Sequence, residues 1–332
     1  MTCTYRHSFL ESDEFYAYSL HFLSIFQIPL HIFGTYIVLF KTPIHMERVK
    51  LSMLVLHLTF AWLDVYLTIL SIPVILFPIV SGYPLGLLYY LGVPIRLMVY
   101  FGFTSLYLVT PGIILFFENR YNYLVRTDST SQSRKIKRVI QHFINYLLAF
   151  LAFLPAALED PDIARAREYA RQKLPCFPPQ IIDSSRFFIL GTDTTLFLLG
   201  VIPFLIIGWT QIATFFIRTS RYIYKTKAQS ERTSSMQKQF FKSLCIQIAI
   251  PVVIILIPGG YVIYTSVSGN FDLALTHISI IWISTHGLFA TVVMIVVHKP
   301  YRQATLEVLR LSKPQGLHHI RVVPVSASYN ID

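Results

Sequence analysis

Seven long, predominantly apolar stretches dominate this sequence and leave few folds open to it. They cover approximately residues 17–40, 51–80, 87–117, 139–158, 194–217, 240–267 and 271–297. Each has the roughly 20 residues that a helix needs to cross a hydrocarbon core of about 30 Å. The second, third and sixth are longer, which predicts tilt or projection beyond the bilayer. Segments such as 147–154 and 292–297 do not alternate as barrel strands would. Where water is absent, a continuous apolar block satisfies its own backbone only as a helix. The chain therefore reads as an all-α polytopic membrane protein: a seven-helix bundle over residues 17–300, a short first segment (1–16) and a tail (301–332). Only 14% of its 332 residues are charged, against about 25% in soluble domains. Residues 1–16 are polar and mildly acidic, without the pattern of a cleavable leader, so the first helix is expected to serve as a signal-anchor.

Charge sets the expected orientation. Of 28 Lys and Arg residues, 21 fall in segments 41–50, 118–138, 218–242 and the tail from 298, while 6 fall in the segments on the other side. The positive-inside rule then places the N-terminus outside the cell and the tail in the cytosol, in a multi-pass plasma-membrane protein. The net charge of +11 belongs to the inner face and its anionic lipids and requires no nucleic acid. Residues 301–311 are expected to lie along the inner leaflet as a short amphipathic helix, anchored by Leu306, Leu309 and Arg310. Cys3 and Cys176 fall on the outer side, where a disulfide can form; spacing alone leaves a bridge and two free thiols both open. Cys245 reads as a packing residue. In the long segment 159–193 a mixed-charge stretch can form a helix, whereas residues 175–179, with three prolines, cannot. An ordered lid and a loose loop are both compatible with it.

Polar groups inside a membrane are costly and therefore informative. His57, Asp64, Thr68 and Ser71 share one face of the second helix. They read either as a polar cluster holding a proton or cation or as an inter-helix hydrogen-bond network. Arg96 in the third helix is a candidate for binding an anionic ligand group or for snorkelling to the interface. Tyr100, Phe103 and Tyr107 continue its face as a candidate pocket wall, with packing as the plainer reading. His277 and Ser284 share a face of the seventh helix and complete the pocket candidates. Pro251 and Pro258 each remove a backbone donor from the sixth helix and mark it as a bending element. Glu118, Arg120 and Tyr121 stand at the inner end of the third apolar stretch. There a carboxylate and a guanidinium can hold a helix end closed and release it on a change of partner.

Rival chemistries lack their residues. A retinal-linked protein needs a lysine within the seventh helix, and Lys299 lies at its end. A membrane amide hydrolase needs a histidine pair one turn apart, and no metal or cofactor set of that kind is expected. A channel or transporter with an ion path through Asp64 and His57 is the alternative reading, although the paired broken helices of such proteins are not evident.

The motifs taken together resemble those of the nematode serpentine receptor class H (Srh) chemoreceptors of the Str superfamily. They comprise Ile28-Pro29-Leu30-His31-Ile32-Phe33-Gly34 with Tyr36, Lys41-Thr42-Pro43 with Met46, Leu56-His57 and Leu63-Asp64. Pro73, Pro78 and Gly82-Tyr83-Pro84-Leu85-Gly86 follow, then Phe117-Glu118-Asn119-Arg120-Tyr121, which is similar to the acidic-Arg-Tyr switch of rhodopsin-like receptors. Leu174-Pro175-Cys176, Ile246-Gln247-Ile248-Ala249-Ile250-Pro251 with Pro258, Ser284-Thr285-His286-Gly287 and His298-Lys299-Pro300-Tyr301-Arg302 complete the series. The resemblance spans about residues 3–302. It implies a chemosensory G-protein-coupled receptor of sensory neurons and their cilia, whose partners are an odorant- or pheromone-like small molecule and a heterotrimeric G protein. The chain lacks the Asn-Pro-X-X-Tyr motif of rhodopsin-like receptors in its seventh helix, so mechanisms built on that motif do not transfer.

Overall fold

The computed structural model describes residues 3–4, 8–76, 79–159, 162–175, 177–190, 195–225 and 231–311. Seven helices long and apolar enough to cross a membrane run Asp13–Phe40, Glu47–Leu70, Ile95–Val125, Gln132–Leu158, Thr195–Lys225, Gln237–Thr265 and Leu273–Val297. This is the all-α polytopic bundle that the apolar stretches predict. A tail helix, Lys299–Val308, follows the seventh, with Tyr301 and Ala304 buried and Leu306 and Leu309 exposed.

The first helix shows how sequence sets orientation in the bundle. Ser12 caps it, its hydroxyl accepting from Phe15 N at 3.1 Å, with Asp13 and Glu14 in the first turn against the positive end of the helix dipole. Leu20, Ser24, Gln27, His31, Gly34 and Val38 recur every three or four residues and are buried. Phe22, Ile25, Phe26 and Ile32 face outward. The polar groups thus turn into the bundle and the large apolar ones toward lipid.

The fourth helix begins earlier than read, at Gln132, and the fifth runs on to Lys225; the second and third depart in ways that shape the site. The second stretch, read as 51–80, contains a helix that ends at Leu70, its last turn widened to a π-turn over Tyr66–Leu70 in which Ser71 N donates to Tyr66 O at 2.8 Å. Pro73 has no N–H and disfavours helical geometry in the residue before it. Ile72 instead takes a positive φ of 41°. The chain then forms a hairpin, β2 (Pro73–Leu76) against β3 (Ser81–Pro84), to which β4 (Phe188–Ile189) adds antiparallel. The third helix begins at Ile95, after Gly92 at φ 76° and Pro94. It continues to Val125, so Glu118 lies inside the helix rather than at its end.

The long segment before the fifth helix is packed onto this hairpin. A loop helix, Ile163–Lys173, buries Ala166 and Ala170, which join Phe177, Ile182 and Ile189 in an apolar cluster with Tyr16, Val74 and Phe271. Tyr16 and Tyr83 tie the first helix to the hairpin, donating to Pro73 O and Asp13 Oδ1, each at 2.8 Å. One end of the bundle is therefore capped, and the opposite end carries most of the basic residues. At the capped end, β1 (Cys3–Thr4) pairs in parallel with β5 (Phe271–Asp272). Cys176 and the side chain of Cys3 lie outside the described residues, so the expected bridge is not placed. Cys245 is a free, half-buried thiol.

The fourth and fifth helices are joined by a reciprocal amide pair. Asn145 Nδ2 donates to Gln211 Oε1 at 3.1 Å and Gln211 Nε2 to Asn145 Oδ1 at 2.9 Å, with Gln141 Nε2 adding a bond to the same Oε1 at 3.0 Å. Gln211→Leu should lower stability by about 1–2 kcal/mol. The Asn145→Leu/Gln211→Leu double variant should lose less than the sum of the two single losses. Strict additivity in a thermal-unfolding cycle on the purified protein would refute the pairing.

Candidate functional site

About three quarters of the way along the second helix, Asp64 is fully buried and meets two neighbouring helices. Its Oδ2 lies 3.0 Å from His31 Nε2 of the first helix. Its Oδ1 lies 3.0 Å from His286 Nδ1 of the seventh and accepts from Gly287 N at 3.3 Å. Thr291 Oγ1 stands 3.1 Å from His31 Nδ1 and 3.4 Å from His57 Nδ1, and bonds Gly287 O at 2.8 Å. His57 Nε2 donates to His31 O at 3.1 Å. Nearby, Gln27 Nε2 donates to Ser284 O. Three helices thus converge on one carboxylate.

The approach is close enough to exclude side chains. A Cβ on Gly287 would stand 2.5 Å from Asp64 Oδ2, and one on Gly34 would stand 2.7 Å from Thr291 Cγ2 and 2.9 Å from His57 Cε1. Both glycines allow helix backbones to reach the polar group directly, as small residues do in membrane packing. Of the four residues expected on this face, all are buried. His57 and Asp64 join the inter-helix network, Thr68 donates to Asp64 O at 2.8 Å, and Ser71 closes the π-turn. His31, His286 and Thr291 complete the site from other helices. His31 was recognisable as a member of the first helix's inward stripe with Gln27 and Gly34.

Toward the basic end, Glu118 is also fully buried. It does not pair with Arg120, because residues two apart point to opposite sides of a helix. The fourth helix holds it instead: Arg134 Nη2 at 2.7 Å, Arg138 Nε at 2.9 Å and His142 Nε2 at 3.2 Å from its carboxylate oxygens. Arg138 Nη2 also donates to Asn119 Oδ1 at 3.0 Å, and Asn119 Nδ2 reaches the second helix at Arg48 O, 2.8 Å away. The Arg120 guanidinium lies 4.7 Å over the Phe240 ring of the sixth helix, and its buried Nε has no partner among the described residues. Tyr121 OH lies 3.4 Å from Arg218 Nη1 of the fifth helix.

Phe240 is shared with the start of the tail helix, its ring 5.4 Å from that of His298. His298 Nε2 donates to Gln247 Oε1 of the sixth helix at 3.0 Å. Burial pulls the His298 pKa down to about 4, so the ring is neutral and one nitrogen carries the donated proton. Tyr301 OH lies 2.9 Å from Thr42 Oγ1 at the end of the first helix; burial raises its pKa above the ordinary phenol value. Pro251 and Pro258 lie within one continuous helix, Glu231–Ser268.

The pocket candidates do not converge. Tyr100 donates to Phe150 O at 3.0 Å. Phe103 stacks on Phe153 at 4.4 Å, and Tyr107 packs 5.4 Å from Phe204; these three face the fourth and fifth helices. Arg96 is half-buried near the start of the third helix. His277 stacks on Tyr16 at 4.3 Å and donates from Nδ1 to Leu10 O at 3.1 Å. Ser284 bonds Ile280 O at 2.9 Å within its own helix. His277 and Ser284 therefore stand against the first helix and its approach, apart from the aromatic wall.

Residues 11–311 match the family model described as serpentine type 7TM GPCR chemoreceptor Srh. The chain is also 24% identical over 307 residues to serpentine receptor class H-72 of Caenorhabditis elegans, an alignment covering 89% of this chain and 85% of that one.

Two outcomes follow from the geometry of the two carboxylates. Gly287→Ala should destabilise the protein by about 1–3 kcal/mol through overpacking against Asp64. Gly259→Ala, whose Cβ would have nothing within 4 Å, should be neutral or gain up to about 1 kcal/mol from helix propensity; equal thermal midpoints for the two variants would contradict the close contact. Glu118→Gln leaves two guanidinium groups partly buried without their anion and should cost about 3 kcal/mol or more. A loss below about 1 kcal/mol, the range of exposed ion pairs, would mean that the fourth helix does not depend on this carboxylate.

Proposed function

The chain belongs to the Srh family of serpentine seven-transmembrane chemoreceptors, and from that membership we propose that it is a chemosensory G-protein-coupled receptor. It takes a small odorant- or pheromone-like molecule at the capped end, on the extracellular side of the plasma membrane of a sensory neuron. It signals to a heterotrimeric G protein at the basic end, in the cytosol. The excess of Lys and Arg in the segments at that end supports this orientation.

The observation that carries the reading is the placement of Arg120. Glu118 is anchored to the fourth helix, while Arg120 is kept in place by the Phe240 ring of the sixth. A cation over an aromatic face is held by about 0.5–2 kcal/mol, less than a buried ion pair would require to break. Outward movement of the sixth helix removes Phe240 from Arg120 and strains the Gln247–His298 bond in the same step. Pro251 and Pro258, each lacking a backbone donor, reduce the resistance of that helix to bending. A cue shifts the population only insofar as it binds the open state more tightly than the closed one. The alternative of an ion path through Asp64 and His57 is less well supported, because both carboxylate oxygens of Asp64 are already met by neighbouring nitrogens.

In cells expressing the receptor with a chimeric G protein and challenged with a panel of odorant- and pheromone-like small molecules, Arg120→Ala should abolish the evoked response or lock signalling at one level, with surface expression retained. Phe240→Ala should raise cue-independent signalling several-fold. An unchanged dose–response curve in Arg120→Ala refutes the switch, and a current without any G protein favours a channel.

A further inference from the structure

The network around Asp64 can be counted proton by proton. A carbonyl oxygen only accepts, so His57 Nε2 carries a hydrogen toward His31 O. His286 Nδ1 likewise carries one, shared between Ile283 O at 2.8 Å and Asp64 Oδ1 at 3.0 Å. Gly287 N–H adds a second donor to the same oxygen. Two groups are left undetermined: the ring of His31, set between Asp64 Oδ2 and Thr291 Oγ1, and the single hydroxyl hydrogen of Thr291.

Two arrangements place a hydrogen in both contacts of the His31 ring, and in each the longer contact of Thr291 Oγ1 with His57 Nδ1, 3.4 Å, holds none. In one, the Thr291 hydroxyl donates to His31 Nδ1, and His31 carries one hydrogen, on Nε2, toward an ionised carboxylate. In the other, the hydroxyl donates to Gly287 O, its 2.8 Å partner. His31 Nδ1 must then donate to Thr291 Oγ1, and a further proton must lie between His31 Nε2 and Asp64 Oδ2. The first arrangement leaves Thr291 Oγ1 and Gly287 O 2.8 Å apart without a hydrogen between them, so that contact favours the second. The arrangements differ by one proton and the rotation of one hydroxyl group.

We propose that this buried junction of the first, second and seventh helices is a binding site for a single proton, held between His31 Nε2 and Asp64 Oδ2, with Thr291 as the adaptor that accommodates the empty and the filled site. The groups facing the carboxylate are His31 from the first helix, His286 and Gly287 N–H from the seventh, and His57 earlier on its own helix. A metal ion would have to displace donors that already meet both oxygens. A second proton would fall on His286 Nε2, which is buried with no partner among the described residues, and a buried donor without an acceptor is unfavourable. A second proton on His57 Nδ1 would meet only Thr291 Oγ1, 3.4 Å away and already accepting from His31 in the filled site, so the site takes one proton. Uptake changes the charge by a full unit where three helices meet, so any rearrangement that separates them is linked to pH. This inference does not require coupling to a G protein.

The test uses the purified full-length protein in lipid nanodiscs, titrated over about pH 5–8, the range in which histidine-linked sites respond. Imidazole nitrogen NMR and infrared difference spectra of the carboxyl region are the readouts. The wild-type protein should take up a single proton in one step, as a carboxylic acid band or an imidazolium signal. Asp64→Asn should lack that step, because its carboxamide reproduces the filled site, accepting from His286 and Gly287 and donating to His31. Thr291→Val removes the acceptor for the second imidazole hydrogen and should move the midpoint about one unit lower. The absence of any step in the wild type, or the same step in Asp64→Asn, overturns the proposal. If Asp64→Asn does not fold, an unmoved midpoint in Thr291→Val overturns it. A step displaced by sodium at constant ionic strength would assign the site to a metal cation instead.

Discussion

A carboxylate placed in the middle of a membrane bundle must find its hydrogen-bond donors within the protein, because lipid supplies none. Asp64 meets that requirement with nitrogens from the first and seventh helices, and the requirement fixes where those helices can lie. The seventh must bring a bare backbone N–H to the acid, and the first must bring an imidazole while passing close to Thr291. Aromatic and aliphatic packing, by contrast, tolerates small displacements, since apolar contacts are individually weak and numerous. The polar junction selects one arrangement among several that lipid-facing leucines and phenylalanines would accept equally well.

The basic end solves the same problem with the charges reversed in number. One acid, Glu118, answers two arginines and a histidine of the fourth helix, while Asn119 and Asn122 extend the contacts. This fastens the third and fourth helices together, whereas the sixth is held by lighter contacts: Arg120 over the Phe240 ring, Lys238 over the Tyr224 ring, the His298–Gln247 bond, a long Ser243–Val297 bond and apolar neighbours. Stiffness is therefore unevenly distributed around the bundle. The capped end is bound by a small sheet and an apolar cluster.

Much of this was legible in the sequence, for identifiable reasons. The seven helices follow from apolar length, and the burial of His57, Asp64, Thr68 and Ser71 follows from helical spacing. The over-long second stretch was misread because hydropathy cannot tell a buried strand from a helix; Pro73 and Gly82 carried the missing signal. The partner of Glu118 was obscured by adjacency in sequence. A separation of two residues sets Glu118 and Arg120 on opposite sides, whereas Arg134, Arg138 and His142, spaced by four, form a ready stripe on the fourth helix. His31 and His286 could not be joined to Asp64 by periodicity, since spacing within one helix says nothing about which faces of different helices meet. The aromatic wall of Tyr100, Phe103 and Tyr107 was correctly placed on one face, but that face turns to the fourth and fifth helices.

The contact between Gly287 and Asp64 also sets the length of the acid. With the glycine backbone already against the carboxyl group, a glutamate at this position would carry its oxygens one carbon farther, into the main chain of the seventh helix or past the two imidazoles that receive them. Position 64 thus measures reach as well as charge: the space between two backbones admits the shorter of the two acidic side chains and rejects its homologue.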